Sequence, residues 1–498
     1  MSRAGRPTHI AAAVRPTGLV TLGLAVAMGC CAVFGIALDV LDRHRSTLDA
    51  GAWRPMLLSA AITGLCGLGA VIATRTPETP RRRRHSAALA VTFIWFCSSV
   101  FGALPYILGA GISPVDAVFE ATSGFTTTGA TIVADIEGTL SSPLLLWRSL
   151  TQWLGGMGIV VLFVAIFPNL GVGAKDMFRN EVPGPTSEGL RPRIAETSVA
   201  LWKIYAALTV ALALILWLVL RMDVFDAVCH ALTTLSTGGF STHNASIGHF
   251  DAPAVEMVVA VFMLAAGVNF GLYFNALRGR PGFWRSTEFR AYVGIVATCT
   301  ALLTIGLLPL HGTLLQSFRK AFFMVATTVT STGFGTDDYM AYPPPALLLV
   351  LALMLVGGSA GSTAGGIKIA RIALMLKMAW MHVRHSLRPS VVQALRMGGR
   401  PVPSSVLPGV AAFCVVYFVS LAGGALLLTY TDPVPVETAL GAMLTCLSNM
   451  GPSPYYVAED NFAGWSDAGK LITSTAMVLG RLEFFALLAL LLPDLWRR

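Results

Sequence analysis

The chain has 498 residues, 55% of them hydrophobic and only 12% charged, with a mean hydropathy of +0.69. A soluble protein of this length would carry roughly twice that charge. Several apolar runs reach the ~20 residues that span a bilayer, so the composition specifies an all-α polytopic membrane protein. The formal net charge of +9 does not point to nucleic acid, because the cations fall in clusters between apolar runs. The clusters are Arg81 to Arg84; Arg278, Arg280, Arg285 and Arg290; Arg371, Lys377, Arg384, Arg388, Arg396 and Arg400; and Arg497 with Arg498. They occupy alternate loops, as the positive-inside bias requires, and so report topology.

In chain order, apolar runs near 17–40, 56–74, 87–110, 143–168, 197–220, 253–276, 291–310, 344–378, 405–429 and 470–493 predict ten helices. The first run is long enough to stay as a helix rather than serve as a cleaved signal. An even number puts both termini on one side, and Arg3, Arg6, Arg15 and the terminal arginines assign that side to the cytoplasm. Arg43, Arg45 and Arg54 dissent, since they fall in an outer loop. The eight cysteines (Cys30, Cys31, Cys66, Cys97, Cys229, Cys299, Cys414 and Cys446) lie in apolar stretches with no Cys-x-x-Cys spacing. They read as small packing residues.

Four of the connections are not plain loops. "SPVDAVFEATSGFTTTGAT" follows residue 112 and begins with Ser113 as an N-cap, Pro114 as the first helical residue and Asp116 as third-position acceptor. "MDVFDAVCHALTTLSTGGFS" repeats the plan with Asp223 as cap and Asp226 at the third position. A third copy starts at Thr313, and "DPVPVETALGAMLTCLSNMGPS" is a fourth, capped by Asp432. Each predicted helix is too short to span and must return as extended chain. The unit of helix, re-entrant half-helix, glycine loop and helix therefore occurs four times around a pseudo-fourfold axis. The divisions are 1–80 for an extra N-terminal helix pair, then 81–180, 181–280, 281–390 (with an interrupted second helix) and 391–498 for the repeats.

Extended backbone inside a membrane is tolerated where protein or a water-filled cavity meets its polar groups. Four such loops would turn their carbonyls toward one axis, the arrangement that replaces the hydration shell of a cation. Glycine supplies the dihedrals and the close approach. Each half-helix also presents its negative C-terminal end to the axis.

"LTQWLGGMGI" (151–160), "STGGFST" (236–242), "GSTAGGIK" (361–368) and "MVLGRLEFFALL" (477–488) resemble the Trk-type potassium uptake subunits of the Trk/Ktr/HKT superfamily. The likeness runs from about residue 87 to the C-terminus, and the two extra N-terminal helices resemble the Trk branch. The resemblance implies a potassium filter with glycines at Gly129, Gly238, Gly333 and Gly451. It places Thr127, Thr128, Ser236, Thr237, Ser331, Thr332, Asn449 and Met450 in the same loops. The fourth loop departs from the others, having Asn and Met where they have Thr or Ser, so the pore is expected to be only approximately fourfold. The resemblance further implies potassium as the transported ion with no organic cofactor, a bacterial cytoplasmic (inner) membrane, a homodimer, and a cytosolic nucleotide-binding (TrkA-like) ring of regulatory partners.

"LVGGSAGSTAGGIKIAR" (355–371) holds five glycines and three hydroxyl residues, which cannot sustain a helix. Three readings stand. One is a small-residue packing surface. Another is a phosphate loop, against which the Gly-Lys-Ser/Thr ending and a preceding strand are missing. The resemblance supplies the third, an intramembrane gate below the filter comprising Gly357, Gly358, Gly361, Gly365, Gly366 and Lys368. Arg481 lies near the middle of the tenth helix with Glu483 two residues on, a spacing that does not make a local pair. It reads as a gate residue facing the pore or as one half of a buried ion pair. Asp135, Glu137, Asp337, Asp338, Glu459 and Asp460 lie near the loops and could gather cations at the mouth. The rivals to a pore are an alternating-access carrier for a small solute, which would use inverted repeats and a midplane pocket, and a membrane enzyme. For the latter no His/Asp/Glu constellation lies at depth.

Overall fold

The computed structural model describes residues 9–74, 83–165, 190–280, 282–388, 395–397, 400–403, 406–455 and 461–488. Arg3, Arg6, Arg81, Arg82, Arg497, Arg498, Glu459 and Asp460 lie outside the described residues. By length and composition, six described helices can cross a membrane: Ala13–Val40, Thr47–Ala73, Leu89–Ala110, Glu196–Val219, Thr287–His311 and Val406–Thr431. The first two pack together and against Arg83–Ala110, forming an N-terminal unit beside the rest of the bundle.

Three of the ten runs are broken, the one at 344–378 as expected and the other two against expectation. The run at 253–276 is two helices, Pro253–Ala266 and Phe270–Leu277, bent by 86°. Gly267 packs too tightly against Tyr292 and Thr330 to carry a side chain. Asn269 restarts the chain as an N-cap, its side chain accepting from Gly271 N at 2.7 Å. The run at 344–378 is Pro344–Val356 and Ile369–Leu387, separated by the glycine-rich segment. The tenth run stops at Arg481, because Glu483 (φ 54°) and Phe484 (φ 63°) are left-handed and cannot continue a helix. A short turn, Phe485–Leu488, follows. A two-residue antiparallel ladder joins Arg396–Met397 to Arg400–Pro401.

The four half-helices are Pro114–Phe125, Val224–Leu235, Leu314–Val329 and Val436–Ser448. At 1.5 Å per residue the longest, of 16 residues, reaches roughly 24 Å, short of the ~30 Å hydrocarbon core. The expected caps form on the first three. Ser113 accepts from Asp116 N at 3.2 Å, Asp223 from Phe225 N at 2.9 Å and Thr313 from Gln316 N at 3.4 Å. The fourth differs from expectation: Pro435, not Asp432, precedes the helix. Prolines at 433 and 435 hold the residues before them extended, which delays the helix start by three residues. Asp432 instead accepts from Ser466 N at 2.6 Å, tying the fourth half-helix to the start of Asp467–Arg481.

Arg45 explains its own dissent from the charge bias. It pairs with Asp223 and, at 3.1 Å, with Asp226 at the start of the second half-helix. The arginine is thereby neutralised locally and fixes the loop between the first two helices.

Candidate functional site

Each half-helix ends in the same way. Thr127 (φ 52°), Thr237 (φ 53°), Ser331 (φ 53°) and Asn449 (φ 52°) all adopt the left-handed conformation. The next N–H in each loop then bonds back five residues. These bonds are Thr128 to Ser123 O at 2.9 Å, Gly238 to Thr233 O at 2.9 Å, Thr332 to Thr327 O at 2.8 Å and Met450 to Thr445 O at 3.0 Å. This is the Schellman closure, which satisfies the last helical carbonyls and turns the chain sharply.

The caps set a common register. One residue past the closure come Gly129 (φ 83°), Gly239 (φ 77°), Gly333 (φ 83°) and Gly451, of which the first three are left-handed. The second repeat therefore places Gly239, not Gly238, at the position equivalent to the other three. The two consecutive glycines of "STGGF" hide this in the sequence; the left-handed residue resolves it.

At these positions the loops touch one another. A Cβ on Gly129 would collide with Gly238 O, and one on Gly239 with Thr332 O. A Cβ on Gly333 would stand 3.0 Å from Gly451 N, and one on Gly451 2.5 Å from Gly129 O. The contacts run first to second, second to third, third to fourth and fourth to first, so the loops close a ring.

Side chains behind the ring hold it. Thr126 and Thr128 bond through their hydroxyls at 2.7 Å, as do Thr330 and Thr332. Asn449 Nδ2 donates to Thr128 Oγ1 at 3.0 Å and to Met477 O at 2.8 Å, joining the fourth loop to the first and to the last long helix. Gln152 Nε2 donates to Gly238 O at 2.7 Å, and its Oε1 accepts from Phe240 N at 3.0 Å. The Gln152 amide fills the space a Cβ on Gly238 would need, which is why that residue is glycine.

Arg148 Nε donates to Glu120 Oε1 at 2.7 Å and Nη1 to Ser241 O at 2.9 Å. Its guanidinium lies 3.5 Å from the Phe240 ring centroid. Glu120 also accepts from Thr131 Oγ1 and Ile132 N. This buried pair braces the chain leaving loops one and two. The sequence reading missed Glu120, Arg148 and Gln152. The available signal was an acid inside a half-helix and a base inside an apolar run, since ionisable groups at depth are seldom without a partner.

The glycine-rich segment follows a helix rather than a strand, which removes the phosphate-loop reading. Its neck is closed by Ile367 N to Leu355 O at 3.1 Å and Lys368 N to Val356 O at 2.9 Å. Gly357 (φ 70°) and Gly366 (φ 73°) approach there more closely than any side chain allows. Gly358 and Gly361 meet the bent pair, through Ser359 N to Gly267 O at 2.9 Å and Phe270 N to Gly361 O at 3.1 Å. The tip reaches the ends of three half-helices. Thr363 Oγ1 donates to Leu235 O at 3.1 Å, Gly365 N to Ser331 Oγ at 2.6 Å, and a Cβ on Gly365 would collide with Ser448 O. Lys368 is buried, takes φ 81° and donates to Ala364 O within the segment.

Arg481, 3% exposed, donates to Thr363 O at 2.7 Å and to Gly155 O at 3.4 Å. It thus links the tip of the glycine segment to the helix behind the first loop. Glu483 pairs with Arg371, whose guanidinium also lies 4.1 Å from the Phe413 ring centroid. The charge that neutralises Glu483 is therefore not Arg481.

The described mouth acids are engaged. Asp135 accepts from Asn244 Nδ2 at 2.9 Å and Gly138 N at 3.1 Å, which hold its carboxyl below the usual range. Asp337 pairs with His311 at 3.0 Å and accepts from Tyr342. Asp338 caps a short turn at Tyr339–Ala341, and Glu137 meets His243.

A bundle of apolar helices holding four half-helices, with their C-termini gathered behind one ring of backbone loops, defines a membrane transport protein. The comparisons agree. The model of the TrkH family, described as cation transport protein, matches residues 58–494. The chain is 40% identical to the Trk system potassium uptake protein TrkH of Escherichia coli K12, over 84% of this chain and 88% of that protein. It is 32% identical to TrkG of the same organism, over 86% and 89%. It superimposes on the crystal structure of the potassium transporter TrkH from Vibrio parahaemolyticus with a TM-score of 0.87 and 33% identity, covering 98% of this chain and 99% of that one. The chain belongs to the TrkH family of cation transport proteins.

Proposed function

We propose that this chain takes up potassium across a bacterial cytoplasmic membrane, with both termini in the cytoplasm, through the ring formed by the four loops. The ring closure in repeat order carries the reading. In this reading the ring presents four sets of backbone carbonyls to one axis with four negative helix ends behind them, which favours a cation and opposes an anion. The filter positions are Thr127, Thr128, Gly129, Thr237, Gly238, Gly239, Ser331, Thr332, Gly333, Asn449, Met450 and Gly451, with Ser236 at the helix end behind them. The relatives are named as potassium uptake proteins and a potassium transporter, which supports potassium as the ion. One glycine of this kind per loop makes for few ordered sites and loose discrimination among alkali cations.

The glycine segment with Lys368 and Arg481 is the gate. The hydrogen bonds of its tip to the second and third half-helices, and the arginine across it, support a barrier under the ring rather than simple packing. An alternating-access carrier for a small solute is the second reading. It is disfavoured because the four half-helices repeat in the same order and the site is built of backbone rather than solute-specific side chains. A homodimer and a cytosolic nucleotide-binding ring complete the proposed assembly, the relatives being parts of a named Trk system.

The test is purified protein in liposomes, with potassium flux compared with rubidium and sodium. Potassium flux exceeding sodium flux supports the reading. Transport of a small organic solute without alkali-cation flux would replace it with the carrier.

A further inference from the structure

Away from the ring, the connections that follow the first and second loops meet. Asp135 caps the short helix Ile136–Thr139, and Ile136 N donates to Asn244 Oδ1 at 2.7 Å while Asn244 Nδ2 returns a bond to Asp135 at 2.9 Å. This exchange fixes residues 135–139 against residues 241–250. The latter are anchored in turn, Gly248 N donating to Gly335 O at 3.1 Å and Gly335 N to Ser246 Oγ at 3.2 Å.

On this platform Glu137, His243 and His249 converge. Each offers one donor atom, and the three lie within 4.8 Å of one another. His243 and His249 stack face to face, with centroids 3.6 Å apart and an interplanar angle of 2°. His243 Nδ1 meets Glu137, and its Nε2 stands 3.5 Å from Asp226. Both rings rest edge-on against Phe250.

We propose that Glu137, His243 and His249 form a binding site for a borderline transition-metal dication of the Zn2+ type, joining the outer connections of repeats one and two. Two imidazoles and one carboxylate suit such an ion and not potassium, which prefers a shell of oxygens. Donors around tetrahedral Zn2+ stand roughly 3.3 Å apart at bond lengths of about 2.0–2.1 Å. Binding requires the exposed His249 ring to swing out of its stack on His243, so that both lone pairs meet the ion, and the exposed Glu137 to follow, while His243 is half-buried and held. The fourth position is left to water. Asp226 orients His243 from behind in the manner of an outer-sphere carboxylate, and is itself fixed by Thr242 at 2.8 Å and by Arg45.

The test uses the full chain in lipid nanodiscs, titrated with Zn2+ by calorimetry, with thermal stability read in parallel. The expected result is one Zn2+ per chain at micromolar concentration, with a rise in Tm. His249→Ala and Glu137→Gln should each weaken binding more than roughly a hundredfold, beyond the roughly 10–100-fold loss typical of an outer-shell partner, and should abolish the Tm rise. Both are exposed substitutions, so folding is not at stake. No binding below millimolar Zn2+, or binding by both variants equal to that of the parent chain, overturns the site. Because nothing here depends on ion flux, that failure would leave the transport reading as it stands.

Discussion

Threonine and serine in the left-handed region are the strained feature of the loops. An L-residue costs roughly 1–2 kcal/mol there, and β-branched residues are the worst placed. Thr127, Thr237 and Ser331 nonetheless adopt it with nearly identical φ, which a packed surround must enforce. The two glycines of the second loop then separate by role. Gly239→Ser adds a side chain where Thr332 O already sits, so it should lower the potassium-to-sodium preference or the flux. Gly238→Ser drives into the Gln152 amide instead, so its defect should be partly rescued by Gln152→Ala. The measurement is flux ratio in liposomes for each glycine variant alone and combined with Gln152→Ala. Rescue of Gly239→Ser by Gln152→Ala, or no rescue of Gly238→Ser, would reverse the assignment.

Arg481 belongs to the same scale. A positive charge about 4 Å from a passing monovalent cation, at an effective dielectric near 20, repels it by roughly 4 kcal/mol. Arg481 donates to two carbonyls and leaves Glu483 to Arg371. Arg481→Ala should therefore speed potassium flux per folded molecule without the roughly 3–5 kcal/mol loss that stranding a buried carboxylate brings. Arg481→Lys keeps the charge and should retain most of the block. Reduced thermal stability with unaltered flux in the alanine variant would make the residue structural. Glu120→Gln, by contrast, breaks a buried pair and should cost roughly 3–5 kcal/mol, read as a fall in Tm of the purified protein.

At the scale of elements, the glycine segment closes on itself at its neck and touches the second, third and fourth half-helices at its tip. Shortening the tip at 361–364 should raise flux and make it less dependent on any regulatory partner. Lower expression with unchanged flux per molecule would mark it as packing. Much of this element plan was legible in the chain. Ser113 and Asp223 announced two half-helices by a capping side chain with a first-turn proline or acid, and Thr313 a third by its cap alone, all of them local signals. Asp432 misled because two prolines after it outweigh a capping carboxylate. The breaks at 267 and 482 were illegible. The first depends on Tyr292 and Thr330 crowding Gly267, and the second coincides with Glu483 reaching Arg371, both contacts far apart in sequence.

Across the whole molecule, charged side chains join successive repeats. Lys470 pairs with Asp116, binding the fourth repeat to the first. Arg319 and Lys320 hold Glu256 at 3.1 Å each, binding the third to the second. Arg45 ties the N-terminal pair to the second half-helix. Repetition made the ring legible in outline, since four glycine loops at similar spacing imply one axis. The order of contact and the register of Gly239 were not legible, because they depend on backbone dihedrals that "STGGF" leaves open. The central claim is that this ring selects the cation. Its most direct test is the ratio of potassium to sodium flux in liposomes for the parent chain, Gly333→Ser and Gly451→Ser, at matched amounts of folded protein. The account predicts a potassium preference in the parent that falls toward one, or a loss of flux, in both variants. A preference unchanged in both would contradict it.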